Sequence, residues 1–199
     1  MKNSNLLHEK ARLCVAKDMS EGYIASLLNK LLLYDRSIYD HSINVAYLAS
    51  QVLILRGVDR YEAREVIRGA LLHDIGEMYV PKSIITKEGS LTDEEYELIK
   101  QHPVLGLNII LGNCPTILTD IMQDIILHHH EKRDGSGYPD HITTLNPYTE
   151  LIEVLDIYDS MTAKTFYSDP CDDSYVINYL IEDGYTLDIL EKLKSIEAR

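Results

Sequence analysis

At 199 residues the chain suits one domain, and a hydrophobic share of 45% is ample for a buried core. A formal net charge of -13, from 32 acidic residues against 19 Lys and Arg, argues against non-specific nucleic-acid binding, because a phosphate backbone needs clustered cations. Three scattered cysteines (Cys14, Cys114, Cys171) without a CxxC pair, no apolar run of spanning length and no signal-peptide core point to a cytoplasmic chain away from the membrane.

Taken in order, residues 1–33 read as helical and amphipathic, with Leu6, Leu7 and Leu13, then Ile24, Leu27, Leu28 and Leu31, at helical spacing. This piece is an expected N-terminal helical cap, with a dimer face as the alternative. His41 opens a helix through Val45, Leu48, Ala49 and Val52 that Gly57 ends. Alone, such a histidine is more often a cap or surface residue. A further helix runs from Arg60 to His73-Asp74-Ile75-Gly76 and places an aspartate on an otherwise apolar element. Burying that carboxylate is costly unless it is paired or coordinates a cation. Thr92 and Glu95 form a capping box for a helix expected to stop near His102-Pro103. Gly106 to Leu111 should then be a short helix, Thr116 to His130 a longer one, and Pro147 the start of another that carries Asp156 and Asp159. Asp172-Asp173 caps a last helix pair divided by Gly184, and no strand alternation stands out.

The stretch that organises these pieces is His128-His129-His130-Glu131 followed by Asp134-Gly135-Ser136-Gly137-Tyr138-Pro139. A run of imidazoles at an element's end suits a cation site, whereas a solvated histidine cluster is the bland reading. Helical neighbours diverge by about 100°, so His128 and His130 point apart and only one adjacent pair should serve, its two members facing different ions.

The order His41, His73-Asp74, His102, His129-His130, Asp156 resembles the HD superfamily of metal-dependent phosphohydrolases, and the glycine-tyrosine-proline loop resembles its HD-GYP branch. The likeness covers roughly Leu31 to Leu190, with residues 34–199 as the HD-GYP-like domain. It implies an all-α fold, an HD-type helical bundle around a dinuclear metal site, with iron or manganese as the two divalent ions. His41, His73, Asp74, His102, His129, His130 and Asp156 match the family's ligands, with Asp74 as the bridging and catalytic group. The implied activity is hydrolysis of a cyclic dinucleotide, cyclic di-GMP by family resemblance, or a related phosphodiester. Two close cations would acidify a shared water and hold the attacked phosphate oxygens. Gly135, Gly137, Tyr138 and Lys164 are the expected substrate contacts, and a loop that only buttresses His129 and His130 is the alternative for the glycines.

Four positions depart from the family pattern. Its phosphate-facing lysine is Glu77 here, which would share a helix face with His73 and could serve as an extra ligand. Two of its arginines correspond to Glu150 and Thr165, and the glutamate of three-metal members corresponds to Ser37, so two metals are expected. Losing cations weakens the charge-assisted contacts that a dianionic dinucleotide needs. The rival reading is therefore a metal-binding module without turnover that binds a nucleotide or regulates a protein partner, in a monomer or homodimer. Di-iron oxidation ranks behind both.

Overall fold

The structure is a computed structural model that describes residues 2–163, 171–182, 184, 185, 188, 189 and 191–193. Among these residues every regular element is helical: α1 (Lys2–Met19), α2 (Gly22–Tyr34), α3 (Arg36–Arg56), α4 (Arg60–Leu72), α5 (Lys82–Ile85), α6 (Asp93–Ile99), α7 (His102–Asn113), α8 (Asp120–His128), α9 (Pro147–Thr162) and α10 (Asp173–Glu182). Two short 3-10 helices, Ile75–Tyr79 and Pro115–Ile117, complete the set. The all-α expectation holds. None of the described helices is long and apolar enough to cross a membrane.

Helix α3 is the central post, packed by α1, α2, α4 and α9, while α8 packs against α4 and α9. The apolar stripes explain this: Val45, Ala49 and Val52 of α3 meet Val66, Ala70 and Leu71 of α4 and Leu151, Ile152 and Leu155 of α9 in one buried cluster. Each fully buried Leu, Ile or Val stabilises the fold by roughly 1.5–3 kcal/mol. Val15, Ile24, Leu27, Leu28 and Leu31 enter the same cluster, so α1 and α2 share the core rather than sitting outside it. The buried Asp18 anchors their junction by accepting from Arg64 at 3.0 Å and Arg68 at 3.2 Å on α4.

Several boundaries differ from the sequence reading, for local reasons. The first helical stretch is broken at Ser20-Glu21. Helix α3 starts at Arg36, before His41, because Asp35 caps it by accepting from the Ser37 amide at 2.8 Å. Ser37 thus belongs to a helix cap. Pro103 starts α7 rather than ending α6, since proline is well tolerated in a helix's first turn. The expected Thr116–His130 helix shrinks to α8, capped by Thr119 through the Met122 amide at 3.3 Å. The capping box at Thr92 and Glu95, the left-handed Gly57 and the start at Pro147 are as expected.

Candidate metal centre

Three helices are followed, within one to three residues, by a histidine that the backbone aims: His73 after α4, His102 after α6 and His129 after α8. The last carbonyls of a helix lack intrahelical donors, and a histidine just past the end can supply one. His73 Nδ1 donates to the Ala70 carbonyl at 2.7 Å beyond α4, and His102 Nδ1 to the Ile99 carbonyl at 2.8 Å beyond α6. His129 Nδ1 is shared between the Ile125 and Ile126 carbonyls, both at 3.1 Å, beyond α8. Because a carbonyl only accepts, the Nδ1 atoms carry the protons, and each Nε2 turns inward with a free lone pair. All three rings are fully buried.

Asp74 lies where these atoms converge. Its Oδ1 is 3.3 Å from His102 Nε2 and 3.6 Å from His129 Nε2. Its Oδ2 is 3.1 Å from His73 Nε2 and 3.7 Å from His41 Nε2. Two donor groups result, each with its ligand atoms within 4.8 Å of one another: His41, His73 and Asp74, and Asp74, His102, His129 and His130. Asp156 flanks both, with one oxygen 2.9 Å from His41 Nε2 and the other 3.8 Å from His130 Nδ1. All seven residues named from the sequence therefore meet in one place.

The donor set suits divalent transition metals, which take neutral imidazoles with carboxylates. Burial opposes the charge of Asp74, yet His73, His102 and His129 hold its carboxyl well below the usual carboxylate range. Asp156 is lowered in the same way, burial being outweighed by His41 and His130. Burial keeps His129 below the usual imidazole range, and burial with the neighbouring His129 keeps His130 well below it. For His41, Asp156 and Asp159 overcome burial and raise the pKa, as Asp74 does for His73 and His102. Protons and dications compete for those lone pairs, so metal uptake here would release protons. His73 Nε2, although near Asp74, is buried with no hydrogen-bond partner, as a ligand atom aimed at a cation would be.

One supporting residue was named in the sequence only as a helix neighbour of Asp156, without a role. Asp159, one helical turn beyond Asp156, accepts from His41 Nδ1 at 2.7 Å and turns the opposite nitrogen inward. Its signal was the three-residue spacing from Asp156 on a buried helix face. Two glycines also place donors. A Cβ on Gly76 would fall 1.9 Å from the His102 carbonyl oxygen, so only glycine lets the 3-10 helix bring Asp74 against the start of α7. A Cβ on Gly137 would fall 2.4 Å from Glu131 Cα and 2.5 Å from the His130 carbonyl oxygen. Gly137 is buried in the loop's own backbone, which supports buttressing at this position rather than ligand contact.

Other expectations change with local geometry. Helix α8 stops at His128, so the 100° rule lapses after it, and His129 and His130 both offer ligand atoms to the donor group of Asp74 and His102. His128 turns away as expected, contacting Asp124 at 2.9 Å and Asp140 at 3.1 Å. Helix α4 ends at Leu72, so Glu77 lies on the following 3-10 helix and shares no α-helical face with His73. Neither tight donor group among the described residues includes Glu77. Burial and then the Asp74 charge push its carboxyl up to about 8. A dication at Asp74 would oppose that shift. Glu150 is ion-paired with Arg133 at 2.5 Å. Gly135 turns the loop at a φ of +77°, and the Tyr138 ring packs on His130 with centroids 4.8 Å apart. Lys164 and Thr165 lie outside the described residues.

A family model described as HD domain matches residues 10–188. The chain is 35% identical over 150 residues to a cyclic di-GMP phosphodiesterase of Thermotoga maritima, covering 74% of this chain and 40% of that protein. It is 35% identical over 144 residues to a cyclic di-GMP phosphodiesterase of Pseudomonas aeruginosa, covering 70% and 34%. A 3'3'-cGAMP-specific phosphodiesterase of Vibrio cholerae is 29% identical over 179 residues, covering 88% and 34%. The chain thus spans 40% or less of the length of these curated relatives. Among solved structures, an HDG"Y"P protein from Bdellovibrio bacteriovorus shares the fold with a TM-score of 0.69 at 22% identity, covering 100% of this chain and 64% of that one. With the histidine–aspartate centre and the glycine-tyrosine-proline loop in place, the chain belongs to the HD domain family, in its HD-GYP branch.

Proposed function

We propose that this chain hydrolyses a phosphodiester bond of a cyclic dinucleotide at two divalent cations, iron or manganese, held by His41, His73, Asp74, His102, His129, His130 and Asp156. The observation that carries this reading is Asp74, whose two oxygens face different donor groups, as a bridging carboxylate's would. When bound, such a cation pair neutralises phosphate charge and makes water a better nucleophile near neutral pH. The protein's share is orientation. Helix-end carbonyls fix His73, His102 and His129, and Asp159 fixes His41, so little rearrangement is needed as charge develops. Burial of the rings excludes bulk water and strengthens every charge interaction inside.

The relatives' names support cyclic di-GMP or 3'3'-cGAMP as the substrate class, and free thiols at Cys14, Cys114 and Cys171 suit a cytoplasmic nucleotide pool. The test is anaerobic incubation with Fe(II) or Mn(II) and cyclic di-GMP, 3'3'-cGAMP or bis(p-nitrophenyl) phosphate. Linear dinucleotide or nitrophenol is the expected product, and no cleavage of any of them overturns the reading. Glu77 and Glu150, at positions where the family's cations were expected, favour a second reading, a metal-bound nucleotide receptor without turnover. Stoichiometric dinucleotide binding with no product would select it.

A further inference from the structure

Beside Tyr138 lies an open cleft of ≈ 380 Å³, large enough for a nucleotide-sized ligand. Its lining includes Tyr138 and Pro139 of the loop, Val104 and Leu105 of α7, and the charged Glu97 and Lys100. The Tyr138 ring connects cleft and centre, packing on His130 at 4.8 Å while the Lys100 ammonium lies 5.9 Å from the same ring's centroid. Lys100 also stacks over Tyr96 at 4.8 Å and pairs with Glu97 at 2.6 Å. Glu97 is 65% exposed, and a solvent-exposed pair of this kind is weakly held, so Lys100 exchanges partners at little cost. Lys100 is the one Lys or Arg among the described residues lining the cleft, in a protein whose formal net charge is -13.

We propose that this cleft is the subsite for the half of a cyclic dinucleotide that is not being cleaved. Its base lies between Tyr138–Pro139 and Val104–Leu105, and Lys100 takes the second phosphate. The proposal rests on the phosphodiesterase reading for the substrate's identity, and it supplies what the sequence pattern lacked, a cation placed for the second negative charge. An apolar slot with an aromatic wall suits a planar base, because stacking needs a π-face rather than a particular hydrogen-bond pattern. A charge-assisted contact from Lys100 then distinguishes a dinucleotide from a ligand with one phosphodiester.

Titration calorimetry with cyclic di-GMP on the metal-loaded protein, and turnover of cyclic di-GMP against bis(p-nitrophenyl) phosphate, test this together. Lys100→Ala should raise the dinucleotide Kd about tenfold and lower the kcat/KM ratio of the two substrates by a similar factor. Lys100→Arg should restore both. Wild-type affinity in Lys100→Ala, equal losses on the two substrates, or no dinucleotide binding by the unmodified protein each overturns the subsite. Dinucleotide binding that depends on Lys100 without cleavage of either substrate would sustain the subsite and sink the hydrolase reading instead.

Discussion

The inner donor groups and the outer loop are built by different means. Inside, His73, His102 and His129 are fully buried and each is pinned to a main-chain carbonyl, so their positions come with the helices themselves. Outside, residues 131–140 are held by a chain of side-chain contacts. Thr149 donates to Asp124, His128 bridges Asp124 and Asp140, and the Asp140 amide donates to buried Glu131. Asp140's side chain is 58% exposed. Backbone-aimed ligands are hard to displace by substitution elsewhere, whereas a loop secured by a few side-chain contacts is more easily retuned. On the proposed reading, the difference means that metal chemistry would be fixed by the fold and ligand choice by the rim.

Removing Asp74 is the largest expected break in that division. Asp74→Ala deletes both oxygens that link the two donor groups, so elemental analysis should find both cations lost, with turnover down by about 10³-fold. Retention of one full metal equivalent would show that the two groups do not depend on a shared carboxylate. Circular dichroism on the same sample separates metal loss from unfolding.

A smaller effect is expected at Asp159, whose side chain aims His41, an inner residue oriented by a side chain rather than by backbone. Asp159→Ala removes the acceptor for His41 Nδ1 and leaves that ring free to turn. Competition with a chelator should show metal affinity reduced by roughly 10–100-fold, the usual cost of losing a group that orients a ligand. An unchanged affinity would mean that Asp156 alone, 2.9 Å from the opposite nitrogen, holds the ring.

How much of this was legible follows the same divide. His41, His73, Asp74, His102, His129, His130 and Asp156 were all named in the sequence through the resemblance to the HD superfamily; on physical grounds only Asp74, a carboxylate on an apolar element that requires a partner, and the run His128-His129-His130 stood out. The helical core was visible because apolar spacing is local information. What misled was the assumption that helices continue through their histidines. Ending α4 at Leu72 and α8 at His128 is what aims the imidazoles, and it removes the α-helical phase that had placed Glu77 beside His73. Gly76 and Gly137 need glycine because of distant backbone, the His102 carbonyl for one, and a distance across the fold leaves no trace in spacing. The cleft was invisible for a similar reason: Lys100, at the end of α6, and Tyr138 meet only once that end and the loop are packed.

The smallest expected effect is at His128, and it sharpens the comparison most. His128→Gln breaks the bridge from Asp124 to Asp140 but touches neither donor group among the described residues. The loss of a net hydrogen bond of about 1 kcal/mol should speed amide exchange at Tyr138 and Asp140 roughly fivefold, since those amides are held by the His130 carbonyl and Glu131. Metal content should stay at the wild-type level, because His129 is fixed by the Ile125 and Ile126 carbonyls whatever the loop does. A parallel fall in metal content would mean that loop and donors move as one unit, and the separation of chemistry from selectivity would fail with it.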